Sequence, residues 1–406
     1  MVPVARQDVS QAEPPLLIEQ LTQLALANNP TLCLAARRVQ ALRGKQQQVG
    51  LYPNPTMGYI GEEIGNEGHG GQHGIRLGQQ VVTAGKLAWN QSVVGSEIAT
   101  AEHEWAMQRL RVVNDVRAAA YEVMAAQQTV ELSEELLQVA EAGLKSAEQM
   151  LAAQEVSRID VLEARIEVTN TRLALRKAHF ALTDAWRRLV VLAGVPDMPP
   201  TRVADPEADR LDGPIEWETA LHRLISESPE RMRAMAKVER ARAAVGRECA
   251  GRVPDVELEA GVRYNFGSDS TLATMGFALP LQIFDRNQGN IYRAQAELAA
   301  AHQDLRRVEL LLQERLAQEF RRHDDARETV GQYRDALLPD AGDALQLARA
   351  GYQQGEFSYL EVLTVQRTYF ETHLAFVDAI REARVSRVRI EGLLLTGGLE
   401  SPGPVE

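Results

Sequence analysis

The chain has 406 residues, 45% apolar and 25% charged, with 44 basic against 56 acidic side chains and a net charge of −12. That mix excludes wholesale disorder, and the acidic balance argues against a nucleic-acid partner, which would need a basic face. Two cysteines, Cys33 and Cys249, are too few for a disulfide scaffold or a Cys-based zinc site and read as small buried or spare thiols.

Residues 1–15 are expected to be a disordered N-terminal segment, in which Arg6, Asp8 and Glu13 leave no apolar h-region. As it stands it is not a secretory signal peptide. Two readings stay open: a cytosolic chain, or one whose signal was trimmed or lost through a late start codon. No later stretch approaches the roughly 18 consecutive apolar residues of a membrane-spanning helix.

A first repeat covers 16–194, a linker 195–213, a second repeat 214–398 and a tail 399–406. The duplication is legible in order. Glu155-Val-Ser-Arg-Ile-Asp-Val-Leu162 returns as Glu356-Phe-Ser-Tyr-Leu-Glu-Val-Leu363, offset by 201, and Gly74-Ile-Arg-Leu returns as Gly276-Phe-Ala-Leu, offset by 202. Tyr52-Pro-Asn-Pro55 answers to Val253-Pro-Asp255, and each half ends in a Leu-rich helix stopped by glycine, Leu192-Ala-Gly194 and Leu395-Thr-Gly397. Two long copies make a duplicated unit, not a solenoid.

Each repeat reads helix, β-hairpin, long helix, tight turn, helix. The first hairpin falls at 56–82 and the second at 255–284, where Val256, Leu258, Ala260, Val262 and Tyr264 alternate with polar or small residues. Period two over ten residues is a strand. The long helices run from about Leu87 to Ala153 and from about Gln288 to Gln353. In the second, Ile291, Ala294, Leu298, Ala301, Leu305, Val308 and Leu312 alternate spacings of three and four, a coiled-coil seam. Pro339 is expected to kink it.

Amphipathic strands of this length suit a transmembrane β-barrel or, equally well on alternation alone, half-buried hairpins of a soluble α+β protein. Four strands cannot close a barrel, and lipid does not tolerate open edges. Three chains would supply twelve strands and a ring of helices beneath them.

The order of Pro-turn, strand pair, Phe284-Asp-Arg-Asn-Gln-Gly289, long helix and Ser-x-x-acid-Val-Leu turn resembles the TolC-like outer-membrane efflux proteins. Leu279-Pro-Leu-Gln-Ile-Phe-Asp-Arg-Asn-Gln-Gly-Asn290 looks most like the CzcC-type branch, which serves heavy-metal exporters. The resemblance spans about residues 16–398. It implies a mainly α chain with a membrane β-barrel portion: a homotrimer whose joint 12-stranded β-barrel sits in outer-membrane lipid and continues into an α-helical barrel in the periplasm. The stretch Val195 to Pro214 would contribute to its equatorial waist. The protein would be a passive exit duct on a periplasmic adaptor (membrane fusion) protein and an inner-membrane pump of the resistance-nodulation-division (RND) class. A drug or type I secretion duct is the nearest alternative. A soluble coiled-coil scaffold is the alternative from another class, and a periplasmic adaptor is disfavoured because it carries one helical hairpin rather than two.

The resemblance also carries residue roles. The turns become periplasmic tips, so Gln154, Glu155, Ser157, Gly355, Glu356, Phe357 and Ser358 are adaptor-contact candidates. Asp160 and Glu361 correspond to the family's constriction acids. Glu163 shares a helix face with Asp160, while its second-half partner is Thr364, so the acidic ring is not fully doubled. Acidic rings favour cations; the plainer reading is that these carboxylates oppose the helix dipole. His69 and His73 lack the partners of a metal site. No Gly-x-Ser-x-Gly, P-loop or His-Glu-x-x-His pattern appears, so neither an enzyme nor a cofactor is expected.

Overall fold

The computed structural model describes residues 14–65, 68, 70–154, 156–206, 213–354 and 356–401. Proline at the first turn of a helix forgoes only an N–H that has no intrahelical partner. Asn29-Pro30 therefore ends α1 (Ile18–Asn28) and starts α2 (Pro30–Val49), and Ser228-Pro229 does the same for α5 (Trp217–Glu227) and α6 (Pro229–Ala250). Strands β2 (Thr56–Glu62) and β3 (Gln72–Val81) precede α3 (Lys86–Ala152) and α4 (Arg158–Leu192). Strands β5 (Val256–Asn265) and β6 (Ser270–Ala278) precede α7 (Gln288–Gln332), α8 (Leu338–Gln353) and α9 (Tyr359–Glu391). Two short strands, β1 (Leu16–Leu17) and β4 (Val203–Ala204), pair in parallel.

The chain divides into two compact units that cut across the repeats, each taking corresponding pieces of both halves. The first comprises Met1–Cys33, Met107–Ser228 and Leu311–Glu406. Its core gathers Leu21, Ala25, Val112, Val116, Val123, Trp186, Leu189 and Val388 from α1, α3, α4 and α9. Small residues among them let the helices approach closely, which burial of apolar surface then stabilises.

A polar knot closes this unit. The buried Asn114 amide donates to the carbonyls of Gly392 at 2.8 Å and Leu395 at 2.7 Å, and Asp115 Oδ2 accepts from the Gly397 and Gly398 N–H groups. A side chain on Gly392 would strike Asn114 at about 2.1 Å, so glycine is required there. This corrects the expected stop at Gly397: α9 ends at Glu391, and Leu393 and Leu394 take left-handed backbone angles. The first half behaves as read, with Gly194 left-handed and Val195 N–H closing on Val190 O at 2.9 Å, a Schellman cap.

Pro339 is not itself the break in the second long helix. A π-helical segment, Tyr333–Leu337, separates α7 from α8, with Leu338 N–H reaching Tyr333 O. Pro339 lies in the first turn of α8, directly after the π segment. Cys33 and Cys249 are both free and exposed, so they are spare thiols and not core residues.

The second unit, Leu34–Ala106 with Pro229–Leu310, holds the larger sheet. On α3, Glu97 and Glu104 stand seven apart, two helical turns on one face. Glu97 binds Lys45 at 2.7 Å and Arg240 at 3.1 Å; Glu104 binds Arg38 at 2.8 Å and Arg233 at 3.7 Å. One acidic face thus clamps α2 and α6. Burial alone would raise the Glu97 carboxyl, but the hydrogen bonds from Lys45 and Arg240 outweigh it and hold it below the usual range.

Candidate functional site

The four-stranded sheet runs β2-β3-β5-β6, antiparallel throughout, with β2 and β6 as its edges. Residues i, i+2 and i+4 of a strand share a face, so the register fixes what each face carries. Met57 stands beside Leu77, Leu77 beside Ala260 and Ala260 beside Met275. The next row on that face is Tyr59, Ile75, Val262 and Ala273. The face is apolar across all four strands and uncovered, with Met57 77% and Met275 91% exposed. The opposite face carries the charge. Arg76 pairs with Glu259 at 3.3 Å, and Arg263 pairs with Glu62.

The loop end of the sheet is built from rings. His73 Nε2 bonds Gly70 O at 2.7 Å, its Nδ1 meets the Tyr59 hydroxyl, and Phe266 stands edge-on to it. Both ring nitrogens of His73 are thereby engaged in local structure. His69 lies outside the described residues.

The two helical turns belong to the first unit. Ala147, Val161, Ala164, Tyr359 and Leu363 form a small core there, with Tyr352 packed against it, so α3, α4, α8 and α9 all contribute. Outward from this core, Arg165 and Arg172 of α4 pair with Glu148 and Glu141 of α3 at 3.4 and 2.8 Å, an antiparallel ladder at seven-residue spacing. Arg367 joins α9 to Glu167 of α4 at 2.9 Å.

Ser157 and Ser358 start the returning helices as N-caps. Asp160 and Glu361 complete both capping boxes: Asp160 Oδ2 accepts from the Ser157 N–H and hydroxyl at 2.8 Å, and Glu361 Oε2 from those of Ser358 at 2.7 and 2.8 Å. The Ser-x-x-acid spacing spells this motif in the sequence. Each acid thus spends one carboxylate oxygen on its cap. Burial and then the Asp160 charge push the Tyr352 hydroxyl up; burial, Tyr352, Glu167 and Glu163 push Tyr359 up to about 12. Glu163 makes no ion pair among the described residues, and Thr364 bonds its own helix at Leu360 O.

Gln154 adopts φ +63°, the left-handed position that ends α3, with its N–H on Leu151 O at 3.0 Å. Its second-half counterpart is Gly355, which, like Glu155, lies outside the described residues. Glu356 N–H closes on Gly351 O at 2.8 Å, and the Phe357 ring lies against Gly351 while remaining partly exposed. Ser157→Ala with Ser358→Ala is expected to cost about 1 kcal/mol per cap, read as faster amide hydrogen exchange in the first turns of α4 and α9. The Ser358 N–H and hydroxyl hold the Glu361 carboxyl low. Its share of the cap is therefore full above the ordinary glutamate range and is lost as pH falls through the depressed value.

The family model for outer membrane efflux proteins matches residues 21–195 and 220–394. The chain belongs to that family. The cobalt-zinc-cadmium resistance protein CzcC of Cupriavidus metallidurans is 28% identical over 174 residues, a match that spans 43% of this chain and 42% of CzcC. Among solved structures, CusC superposes with a TM-score of 0.79 at 21% identity, covering 94% of this chain and 92% of CusC. VceC of Vibrio cholerae gives 0.74 at 19% identity, covering 94% and 97%. The open state of MtrE from Neisseria gonorrhoeae gives 0.71 at 16%, covering 99% and 97%. At such identities these structures establish the fold alone.

Proposed function

We propose that the chain is the exit duct of a tripartite efflux system, a trimer whose sheets close one twelve-stranded barrel in the outer membrane. The observation that carries this is the sheet: one face apolar and bare, the other charged, and two edges left open. Lipid accepts the first face, a water-filled lumen accepts the second, and only neighbouring copies satisfy the edges. Among the described residues no helix is long and apolar enough to cross a membrane.

The tips, Gln154, Glu155, Ser157 and Gly355 to Ser358, are the docking points for a periplasmic adaptor, through which an inner-membrane RND pump supplies the energy. Asp160, Glu163 and Glu361 form the constriction. The duct does no chemistry; its cargo is whatever the pump delivers, and the likeness to a cobalt-zinc-cadmium resistance protein favours metal cations. The test is conductance. Purified protein added to a planar bilayer is expected to give discrete channels with reversal potentials that favour cations; absence of channels at any protein concentration contradicts the reading.

A further inference from the structure

The segment Leu279–Asn290, which carries the family likeness in sequence, has no part in the barrel or the tips. It follows β6, whose last residue Ala278 pairs with Glu257 at the start of β5. It therefore lies at the end of the sheet that α6 and α7 join, opposite the β5–β6 turn. The segment is fixed. Asn287 sits at φ +59° and its amide donates to Glu248 O at 2.8 Å and Glu248 Oε2 at 3.0 Å. Its own N–H goes to Asp285 Oδ1 at 2.9 Å, and Gln282 bonds Gly251 O at 3.4 Å. Arg252, the next residue, is anchored by its N–H on Cys249 O.

Arg252 and Arg286 line one open cavity of about 600 Å³, together with Ile283, Phe284 and Tyr292. Neither guanidinium has a carboxylate partner among the described residues. Nearby charges are otherwise engaged: Glu248 with Arg247 at 2.7 Å, and Arg293 with Glu297 at 3.7 Å. Asp285 accepts within the loop. The Asn287 amide, then burial working against it, then Arg247 leave the Glu248 carboxyl low and ionised. Phe284 is 89% exposed, and Leu281 and Tyr292, like Phe277 at the end of the apolar strand face, are also exposed.

The first half has no such pair. The repeat offsets place Leu51 opposite Arg252 and Ala84 opposite Arg286. Lys86, at that corner, is bound to Asp255 at 2.7 Å. Two guanidiniums without a carboxylate partner among the described residues are thus a property of this corner and not of the duplicated fold.

We propose that Arg252 and Arg286 clamp the phosphate of an anionic phospholipid whose acyl chains lie along the apolar strand face. Forked guanidiniums suit phosphate oxygens, and the bare aromatic and aliphatic side chains beside them suit a lipid tail, not a free ion. The inference rests on the membrane reading, in which this end of the sheet meets the periplasmic leaflet.

The full-length protein in mild detergent is offered phosphatidylglycerol, diacylglycerol with the same chains, and inorganic phosphate, with bound lipid counted by native mass spectrometry. Phosphatidylglycerol is expected to stay bound, with R252Q/R286Q weakening it at least about tenfold, while R293Q retains it. Diacylglycerol is expected not to be retained. Equal binding by the double variant, equal retention of diacylglycerol, or displacement of the lipid by millimolar phosphate overturns the proposal. Dissociation of the double variant's oligomer also overturns it, because the corner would then be a subunit contact. A chain that is monomeric and stable without detergent instead overturns the membrane reading itself, a distinct result.

Discussion

Leu77→Arg is expected to remove the protein from the outer membrane. Leu77 stands in the row Met57, Leu77, Ala260 and Met275, which crosses the middle of the sheet on its uncovered face. An arginine at the midplane of a membrane barrel costs about 2–4 kcal/mol, and a closed trimer places three of them in one ring. The matching change on the other face is Thr274→Arg. Thr274 is the neighbour of Met275 and lies in the row of Gly261 and Arg76, where charge is already carried. That variant is expected to assemble normally. Membrane fractions washed with urea and probed for the protein decide the matter: equal loss of both variants would mean that the two faces do not differ in environment, and the sidedness of the sheet would carry no meaning.

Asp160→Ala with Glu361→Ala is expected to widen the closed aperture and to erase most of its cation preference. The difficulty is that the same carboxylates cap α4 and α9, so a loss of function alone does not separate charge from fold. Two further variants do. Asp160→Asn with Glu361→Gln keeps an oxygen for the Ser157 and Ser358 N–H groups and removes the charge. Ser157→Ala with Ser358→Ala keeps the charge and removes one partner of each cap. If the ring of carboxylates controls the passage, reversal potentials move with the amide variant and stay with the serine variant, while hydrogen exchange in the first helical turns does the opposite. Unchanged conductance and selectivity in the double alanine variant would leave the acids as caps alone.

Much of this was written locally. The period of two from Val256 to Tyr264 gave a strand because both faces of the sheet are locally uniform, one greasy and one polar. The Ser-x-x-acid pairs set the returning helices, since a cap needs only four consecutive residues. What escaped depended on distant partners. α9 ends at Glu391, just before Gly392, whose carbonyl accepts from Asn114, 278 residues earlier. The second long helix departs from α geometry at Tyr333–Leu337, upstream of Pro339, with the Leu338 N–H on Tyr333 O. The left-handed Gln154 carries no signature of its own; only its alignment with Gly355 across the repeat marks it. The proposed adaptor and constriction roles have the same character. The structure brings Asp160 and Glu163 to one helix face and seats Glu361 in the equivalent cap, but a ring is a property of several copies.

The oligomeric mass of the purified full-length chain, measured with and without detergent, tests the central claim most directly. Three chains per particle, held in solution only while detergent covers the strands, is the predicted result. A single chain that stays folded and dispersed in plain buffer would contradict it.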